Sequence, residues 1–501
     1  MNYSDTICAP ATVAGTGAIS IVRISGPKSF EIVDRAVRFR HGTAAGSKGY
    51  SLKFADICGV DEGMVAIFRA PHSYTGEDSV ELYCHASAFI VSKVLERLVD
   101  EGCRMAGPGE FTRRAFVNGK MDLAQAEAVA DVISASSEAS HRVAMNQLKG
   151  GYTNELKGLR DQLLELSALL ELELDFSEEE VEFAGRARLD SLLSETLGHV
   201  SRLADSFRAG NAVKNGVPVA FVGAVNAGKS TLLNALVGEE RAIVSDIPGT
   251  TRDTVEEVIT IDGVQFRFID TAGLRETQDT IEKIGIERSL EAVSKADVVI
   301  GVVSAVSPDR SGEAAEIRRL AEGKELILVV SKGDLVDSEV DGSESARAGL
   351  DGSEGTALEG GCAGLDGSEG AAVEDGCAGL DGSEGAAVEG GCAGLDGALM
   401  ISAAKGRGLD ELRSRLAASQ RDRLNAGADT LVTSMRHYEA LCAARESLQA
   451  VRDGLALSIP TDLLAEDLRQ AISALGSIWG EGMISAQETL NAIFSKHCIG
   501  K

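Results

Sequence analysis

No stretch of the chain approaches the run of about eighteen apolar residues that a membrane-spanning helix needs, although apolar residues fill 44% of its 501 positions. The opening residues, MNYSDTICAP, hold neither a basic n-region nor an apolar h-region, so no signal peptide is expected and the chain reads as cytoplasmic. Nine cysteines, at 8, 58, 84, 103, 362, 377, 392, 442 and 498, form no C-x-x-C pair. That removes the signature of a zinc site or redox dithiol and leaves reduced thiols as the expectation. Basic residues are scarce too: 49 Lys and Arg stand against 77 Asp and Glu, a net charge of −28. Composition therefore gives no support for a nucleic-acid partner, which normally shows a basic footprint. Half of the imbalance is local. Fifteen acidic residues lie between Asp337 and Asp396 against one basic residue, Arg347, so that segment carries −14 and the rest of the chain the other −14.

What is present divides into parts, as a chain too long for a single hydrophobic core must. Near-identical fifteen-residue units, AGLDGSEGTALEGGC and its variants, start at Ala348, Ala363 and Ala378, with a partial copy at Ala393. Residues 337–397 are Gly-rich, acidic and poor in large apolar groups, and such a segment cannot recover its ordering entropy. We read it as a disordered acidic low-complexity insertion; calcium binding is the weaker alternative, since the spacing matches no EF-hand loop. Around it, residues 213–420 alternate helical stretches with the apolar runs VPVAFVG, FRFID, VVIGVVS, ELILVVS and LMIS. Continuously apolar runs suit a parallel sheet buried on both faces. On one side of this α/β unit Leu156, Leu159, Leu163, Leu166 and Leu170 share a helix face, as do Leu189, Leu193, Leu197, Val200 and Leu203 on the next helix. Helical periodicity resumes over 431–454 and 460–475. One bundle, 119–212 with 421–501, interrupted by the α/β domain is the economical inference; separate bundles are the alternative. Residues 1–118, with strands such as AISIVRIS and GMVAIFRA between Gly-rich turns, read as an α+β domain.

The chemistry starts at Gly223–Ser230, GAVNAGKS, directly after a strand and opening a helix. In that context G-x-x-x-x-G-K-[ST] is a phosphate-binding loop: glycines turn backbone N–H groups inward, Lys229 reaches the β and γ phosphates, and Ser230 offers a hydroxyl to magnesium. The loop residues Asn226, Ala227 and Gly228 and the following Thr231 belong to the same cradle. Asp270, Thr271, Ala272 and Gly273 end a strand as D-x-x-G, with Asp270 in the magnesium shell and the Gly273 N–H facing the γ phosphate. SKGD places Ser331, Lys332 and Asp334 at the end of another strand, Asp334 as the acceptor for guanine's N–H edge. SAAK places Ser402, Ala403 and Ala404 at the last, with N–H groups for the guanine carbonyl. The order specifies GTP over ATP, at the carboxyl ends of strands where open α/β sheets bind ligands. Between them SDIPGTTRD, with Ser245, Asp246, Ile247, Pro248, Gly249, Thr250 and Thr251, fits a switch loop in which Thr251 is a second magnesium ligand. Leu274 and Arg275 follow Gly273, where a glutamine commonly stands to orient the attacking water, so another residue must do so.

NAGKSTLLNAL, SDIPGTTRD, IDTAGLRET and IEKIGIERS, with RAFVNGKMDLAQAEAVADVISASSE and the terminal CIGK, together resemble the MnmE (TrmE) family of tRNA-modification GTPases over nearly the whole chain. The resemblance implies a folate-binding and dimerising N-terminal domain and a Ras-like G domain spliced into a helical one. It implies a homodimer associating through its G domains with GTP and K+ bound, K+ being ligated by Asn226, Ser245, Ile247 and Thr250. Glu282 matches the family's water-orienting carboxylate. Arg23, Glu81, Lys120 and Lys501 match positions that bind a 5-formyl- or 5,10-methylene-tetrahydrofolate one-carbon donor, and Cys498 a cysteine tied to the modification. The implied reaction installs an aminomethyl or carboxymethylaminomethyl group on carbon 5 of the wobble uridine of certain tRNAs, with the FAD-binding partner MnmG (GidA). Three departures stand out: Ser331 replaces an Asn that braces the P-loop, which predicts weaker nucleotide binding; His497 replaces an aromatic; and the repeats lengthen the link between SKGD and SAAK, at a cost that grows only logarithmically. A ribosome-assembly GTPase is the alternative, but such proteins carry a KH domain where this chain has helices. A regulatory switch awaiting a separate activator is a third.

Overall fold

The computed structural model describes residues 5–175, 185–238, 257–269, 291–335, 395, 397–425, 430–457, 459–481, 494 and 500. The acidic repeats, the switch segment at 245–251, Asp270–Gly273, Glu282, Cys498 and Lys501 lie outside the described residues. Two compact units emerge: Met1–Val217 with Asp262–Gln265 and Gln420–Lys501, and Pro218–Ile261 with Phe266–Ser419.

The first unit begins with β1 (Ile7–Pro10), β2 (Gly17–Ser25), α1 (Ser29–Ala36), β3 (Val37–Phe39), β4 (Ser51–Ile57), β5 (Asp61–Phe68), β6 (Ser79–Ala86), α2 (Ala88–Asp100) and β7 (Arg104–Met105). Its sheet runs β3-β4-β5-β6-β2-β1-β7, antiparallel except where β7 joins β1. Period-two alternation decides which face is covered: Val22 and Ile24 of β2 turn inward against Ile32 and Val33 of α1 and Val94 and Leu98 of α2, while Arg23 turns outward. On α3 (Glu110–Val117) the buried Arg114 answers Asp5 at 2.6 Å, Glu110 at 3.1 Å and Glu77 at 3.2 Å, so its charge is compensated on three sides.

Helices follow: α4 (Leu123–Ser134), α5 (Glu138–Leu148), α6 (Gly151–Asp175), α7 (Gly185–Asp205) and α8 (Phe207–Asn215). Asp122 caps α4 through the Gln125 amide, and the Gln125 side chain returns the bond to the Asp122 N–H, a reciprocal capping box.

The second unit holds β8 (Val217–Val222), α9 (Lys229–Gly238), β9 (Glu257–Ile261), β10 (Val264–Phe268), β11 (Val298–Ser304), α10 (Arg310–Leu320), β12 (Glu325–Ser331), β13 (Leu399–Met400) and α11 (Leu409–Asn425). The order is β13-β12-β11-β8-β10-β9, with β13, β12, β11 and β8 parallel and every residue of β8 and β11 buried. One strand, β9, was not among the five apolar runs. It joins β10 through Asp262 and Gly263, both at positive φ (49° and 79°), the type I′ geometry of a hairpin.

After the inserted domain come α12 (Met435–Ala456) and α13 (Thr461–Trp479). The leucines at 156, 159, 163 and 166 of α6 and those of α7 share one core with Leu441, Leu448, Leu468 and Leu475, so helices before and after the inserted domain form a single bundle. Each such leucine contributes about 1.5–3 kcal/mol by burial.

Candidate nucleotide-binding site

The phosphate loop lies between the end of β8 and the start of α9. Gly223 has φ of +156° and a Cβ there would sit 2.1 Å from the Val302 carbonyl of β11, so no side chain fits the loop's first position. Asn226 and Gly228 follow at φ of 63° and 95°, the left-handed turns that let successive N–H groups point into one concavity ahead of a helix N-terminus. Lys229 folds back over this loop and donates to the carbonyls of Gly223 (2.7 Å) and Ala224 (2.8 Å). Burial pushes its pKa down. Leu232, Leu233 and Leu236 bury the other side of α9 and fix the helix behind the loop.

The other strand ends complete the cleft. Ser331, the last residue of β12, is buried and its hydroxyl donates to the Ala227 carbonyl of the phosphate loop at 2.5 Å. The serine that stands where the resemblance implies an Asn therefore braces the loop. Three residues on, the Asp334 carboxylate accepts from the Ser402 hydroxyl at 2.7 Å, which holds its pKa below the usual carboxylate range and keeps it an ionised acceptor. Ser402 is positioned by paired backbone bonds with Arg407 and begins the short turn Ala403–Lys405, and the Gly333 N–H donates to the Ile401 carbonyl to hold the two loops together. The loop expected to cradle phosphate and the carboxylate expected to accept from the base thus belong to one unit, at the carboxyl ends of parallel strands. A cavity of about 480 Å³ lined by Arg318, Glu325, Leu328 and Arg415 opens instead by the amino-terminal half of β12 and is not this cleft.

Of the expected phosphate and base residues, 226–231, Ser331, Lys332, Asp334 and 402–404 are described and converge here; Ser245–Thr251, Asp270–Gly273 and Glu282 lie outside the described residues. Lys332 takes a φ of 59°, a left-handed residue at the strand end. Removing the Ser331 hydroxyl leaves a loop carbonyl without its partner, worth about 1–3 kcal/mol. Ser331→Ala should accordingly weaken GTP binding about tenfold, read by titration with a fluorescent GTP analogue; unchanged affinity would show that this bond does not hold the loop.

A second cluster lies in the first unit. Arg23 pairs with Glu81 at 2.9 Å, lies over the rings of Tyr74 (5.2 Å) and Phe111 (5.7 Å), and donates to the Gly500 carbonyl at 3.3 Å. Lys120 donates to the Pro71 carbonyl at 3.0 Å, on the segment that carries Tyr74 to Gly76. The structure thus gathers three of the four residues matched to folate binding around one loop, with the residue before Lys501 beside them. The sequence gives no signal for Tyr74 or Phe111, since a lone aromatic in a loop or on a helix reads as ordinary packing.

The fold and the strand-end motifs define a P-loop protein of the GTPase class with an N-terminal and a helical domain. A family model described as the MnmE helical domain matches residues 123–498, and one described as the GTP-binding protein TrmE N-terminus matches 6–120. Proteins named tRNA modification GTPase MnmE are similar end to end: that of Phocaeicola vulgatus is 42% identical over 543 residues, covering all of both chains. That of Bacteroides thetaiotaomicron is 44% identical over 512 residues, covering 99% of each. The chain belongs to the MnmE family. Among solved structures, the FeoB G domain from Methanococcus jannaschii is 22% identical over 41% of this chain and 97% of its own, at a TM-score of 0.22. Era bound to MgGDPNP and nucleotides of 16S ribosomal RNA is 24% identical over 46% and 65%, at 0.23. Among the described residues no helix is long and apolar enough to cross a membrane.

Proposed function

We propose that the chain hydrolyses GTP and uses the cycle to drive modification of carbon 5 of the wobble uridine of certain tRNAs, as a homodimer working with an MnmG-type FAD-binding subunit. The observation that carries the reading is the single cleft in which Lys229, the Ser331-braced loop and the Asp334–Ser402 pair meet. Full-length similarity to proteins named tRNA modification GTPases supplies the substrate class.

In this reading the loop N–H groups and Lys229 hold the β and γ phosphates, Asp334 accepts from guanine N1 and N2, and the 403–404 N–H groups donate to its carbonyl. The cradle fits a magnesium nucleotide, since a Cβ at Gly223 would collide with backbone and Ser230 opens the helix under it. Magnesium at Ser230, Thr251 and Asp270, and potassium at Asn226, Ser245, Ile247 and Thr250, supply positive charge to the phosphoryl oxygens when bound. Glu282 orients the attacking water, and Ser245–Thr251 form the loop that responds to the γ phosphate. In the first unit, Arg23, Glu81, Lys120 and Lys501 hold a tetrahydrofolate one-carbon donor, a guanidinium and a carboxylate suiting the pterin edge and two ammonium groups its glutamate, with Cys498 serving the modification. Helices α12 and α13 follow the G domain and complete the bundle, which favours this reading over a ribosome-assembly switch with a KH domain. Replacing Na+ by K+ should raise GTP turnover at least tenfold, about the 1.4 kcal/mol one added charge contact supplies. Glu282→Ala should lower kcat in K+ about 100-fold. Equal rates in the two salts together with full activity of the variant would overturn the mechanism.

A further inference from the structure

The segment Asp122–Ala128, part of the run that resembles the family, enters none of the chemistry above, and its second acid, Glu127, is held in an unusual way. Glu127 of α4 accepts from Arg436 Nε at 2.9 Å through Oε1 and lies 2.9 Å from His437 Nε2 through Oε2. Both partners are more than 300 positions away, at the start of α12. His437 is 1% exposed and stacks on Tyr152 of α6 at 5.3 Å between ring centres. Its two neighbours hold the Glu127 carboxyl down at about 2 despite burial, so the carboxylate facing Arg436 is ionised at neutral pH, while burial pushes the His437 pKa down.

Arg436 uses its remaining arms differently. Nη1 donates to the Ser477 carbonyl and Nη2 to the Ile478 carbonyl, both at 2.8 Å. These are among the last carbonyls of α13, where a helix runs out of backbone donors; that of Ser477 also accepts from the Gly480 N–H at 3.3 Å, and a cation there meets the negative end of the helix dipole. The helix stops two residues later at Gly480, in a left-handed turn (φ +92°) where a Cβ would come 3.1 Å from both Phe116 and Leu123 of the α3–α4 junction. Downstream, Phe494 packs on Phe116, Leu123 and Ala126, and Gly500 is seated against the Pro10 carbonyl with its own carbonyl accepting from Arg23.

We infer that Arg436, clamped by Glu127, and Gly480 are positioning residues for the modification reaction: they fix the end of α13, ahead of Phe494 on the α3–α4 junction and Gly500 beside the Arg23–Glu81 cluster. The inference rests on the proposed role of that cluster and of Cys498. It accounts for a charged pair kept largely from solvent, with side chains 14% and 21% exposed, where apolar residues would pack at lower cost in desolvation. It also accounts for the seating of the chain's penultimate residue on its N-terminal domain.

Trp479 gives the test its readout, being the chain's single tryptophan, adjacent to the clamped carbonyls and 9% exposed. Arg436→Met removes the clamp. Arg436→Lys keeps a charge but cannot reach carboxylate and both carbonyls, and Gly480→Ala displaces the same helix end without touching the buried pair. In the full-length chain each should red-shift Trp479 emission and increase its quenching by acrylamide, with far-UV helicity retained and GTP turnover within twofold of the parent. Each should also weaken 5-formyltetrahydrofolate binding at least tenfold and, with the FAD-binding partner and tRNA present, slow modification about 100-fold, the loss expected of an ångström-scale misplacement. Modification at the parental rate in Arg436→Met and Gly480→Ala, whether or not Trp479 shifts, overturns the inference. Failure of 5-formyltetrahydrofolate to bind the unaltered chain would sink the folate reading alone, since the tryptophan signal and the modification rate do not require that probe.

Discussion

Replacing Lys229 with alanine is expected to weaken GTP binding about 10³-fold and to abolish measurable hydrolysis. Two charge-assisted bonds to the β and γ phosphates are lost, each worth about 1.5–3 kcal/mol, against the single neutral bond at stake in Ser331→Ala. The ammonium bonds to the Gly223 and Ala224 carbonyls, so a triphosphate must draw it from these, and its charge is what makes the exchange favourable. The substitution spares the fold, because Leu232, Leu233 and Leu236 carry the burial of α9 and the loop is still held by Ser331. Titration with a fluorescent GTP analogue, beside a thermal melt, separates the two effects. A variant that binds GTP as the parent does would show that the triphosphate lies elsewhere.

Asp334→Asn is expected to exchange base preference. The ionised carboxylate offers two acceptors to the N1 and N2 hydrogens of guanine; asparagine presents an amide donor in place of one of them, which guanine repels and the C2 carbonyl of xanthine accepts. A site built to bond a group rejects the analogue that cannot supply it by about 10⁴-fold. GTP hydrolysis should fall by that order while XTP hydrolysis rises, measured by competition between the two. Ser402 can still donate to the Asn oxygen, so the loop pairing seen at 2.7 Å is retained and the effect is chemical. Loss of activity with both nucleotides would place Asp334 in the fold and not at the base.

Much of the G domain was legible because strands buried on both faces leave continuous apolar runs, and β11 and β12 fall on Val298–Ser304 and Glu325–Ser331 as read. β9 was missed because EVITI is only half-buried, though the Asp-Gly between it and β10 was a hairpin signal in plain view. Heptad-like leucines announced α6 and α7, but only coordinates reveal which helices they meet. Ser331 looked like a weakened position because reach was judged from side-chain length; the backbone brings the Ala227 carbonyl to 2.5 Å from its hydroxyl. The clamp on α13 had no signal at all. Glu127 and Arg436 are 309 positions apart, and either alone reads as a solvated charge on a helix.

The account depends on one cleft gripping guanine at Asp334 and a magnesium triphosphate at Lys229. Its most direct test is equilibrium titration of the full-length chain with fluorescent GTP and ATP analogues, with Mg2+ and with chelator. The account predicts GTP binding tighter than ATP by about 10³-fold or more and a marked loss of GTP affinity when Mg2+ is removed. Equal affinity for the two nucleotides, or GTP binding indifferent to Mg2+, would contradict it.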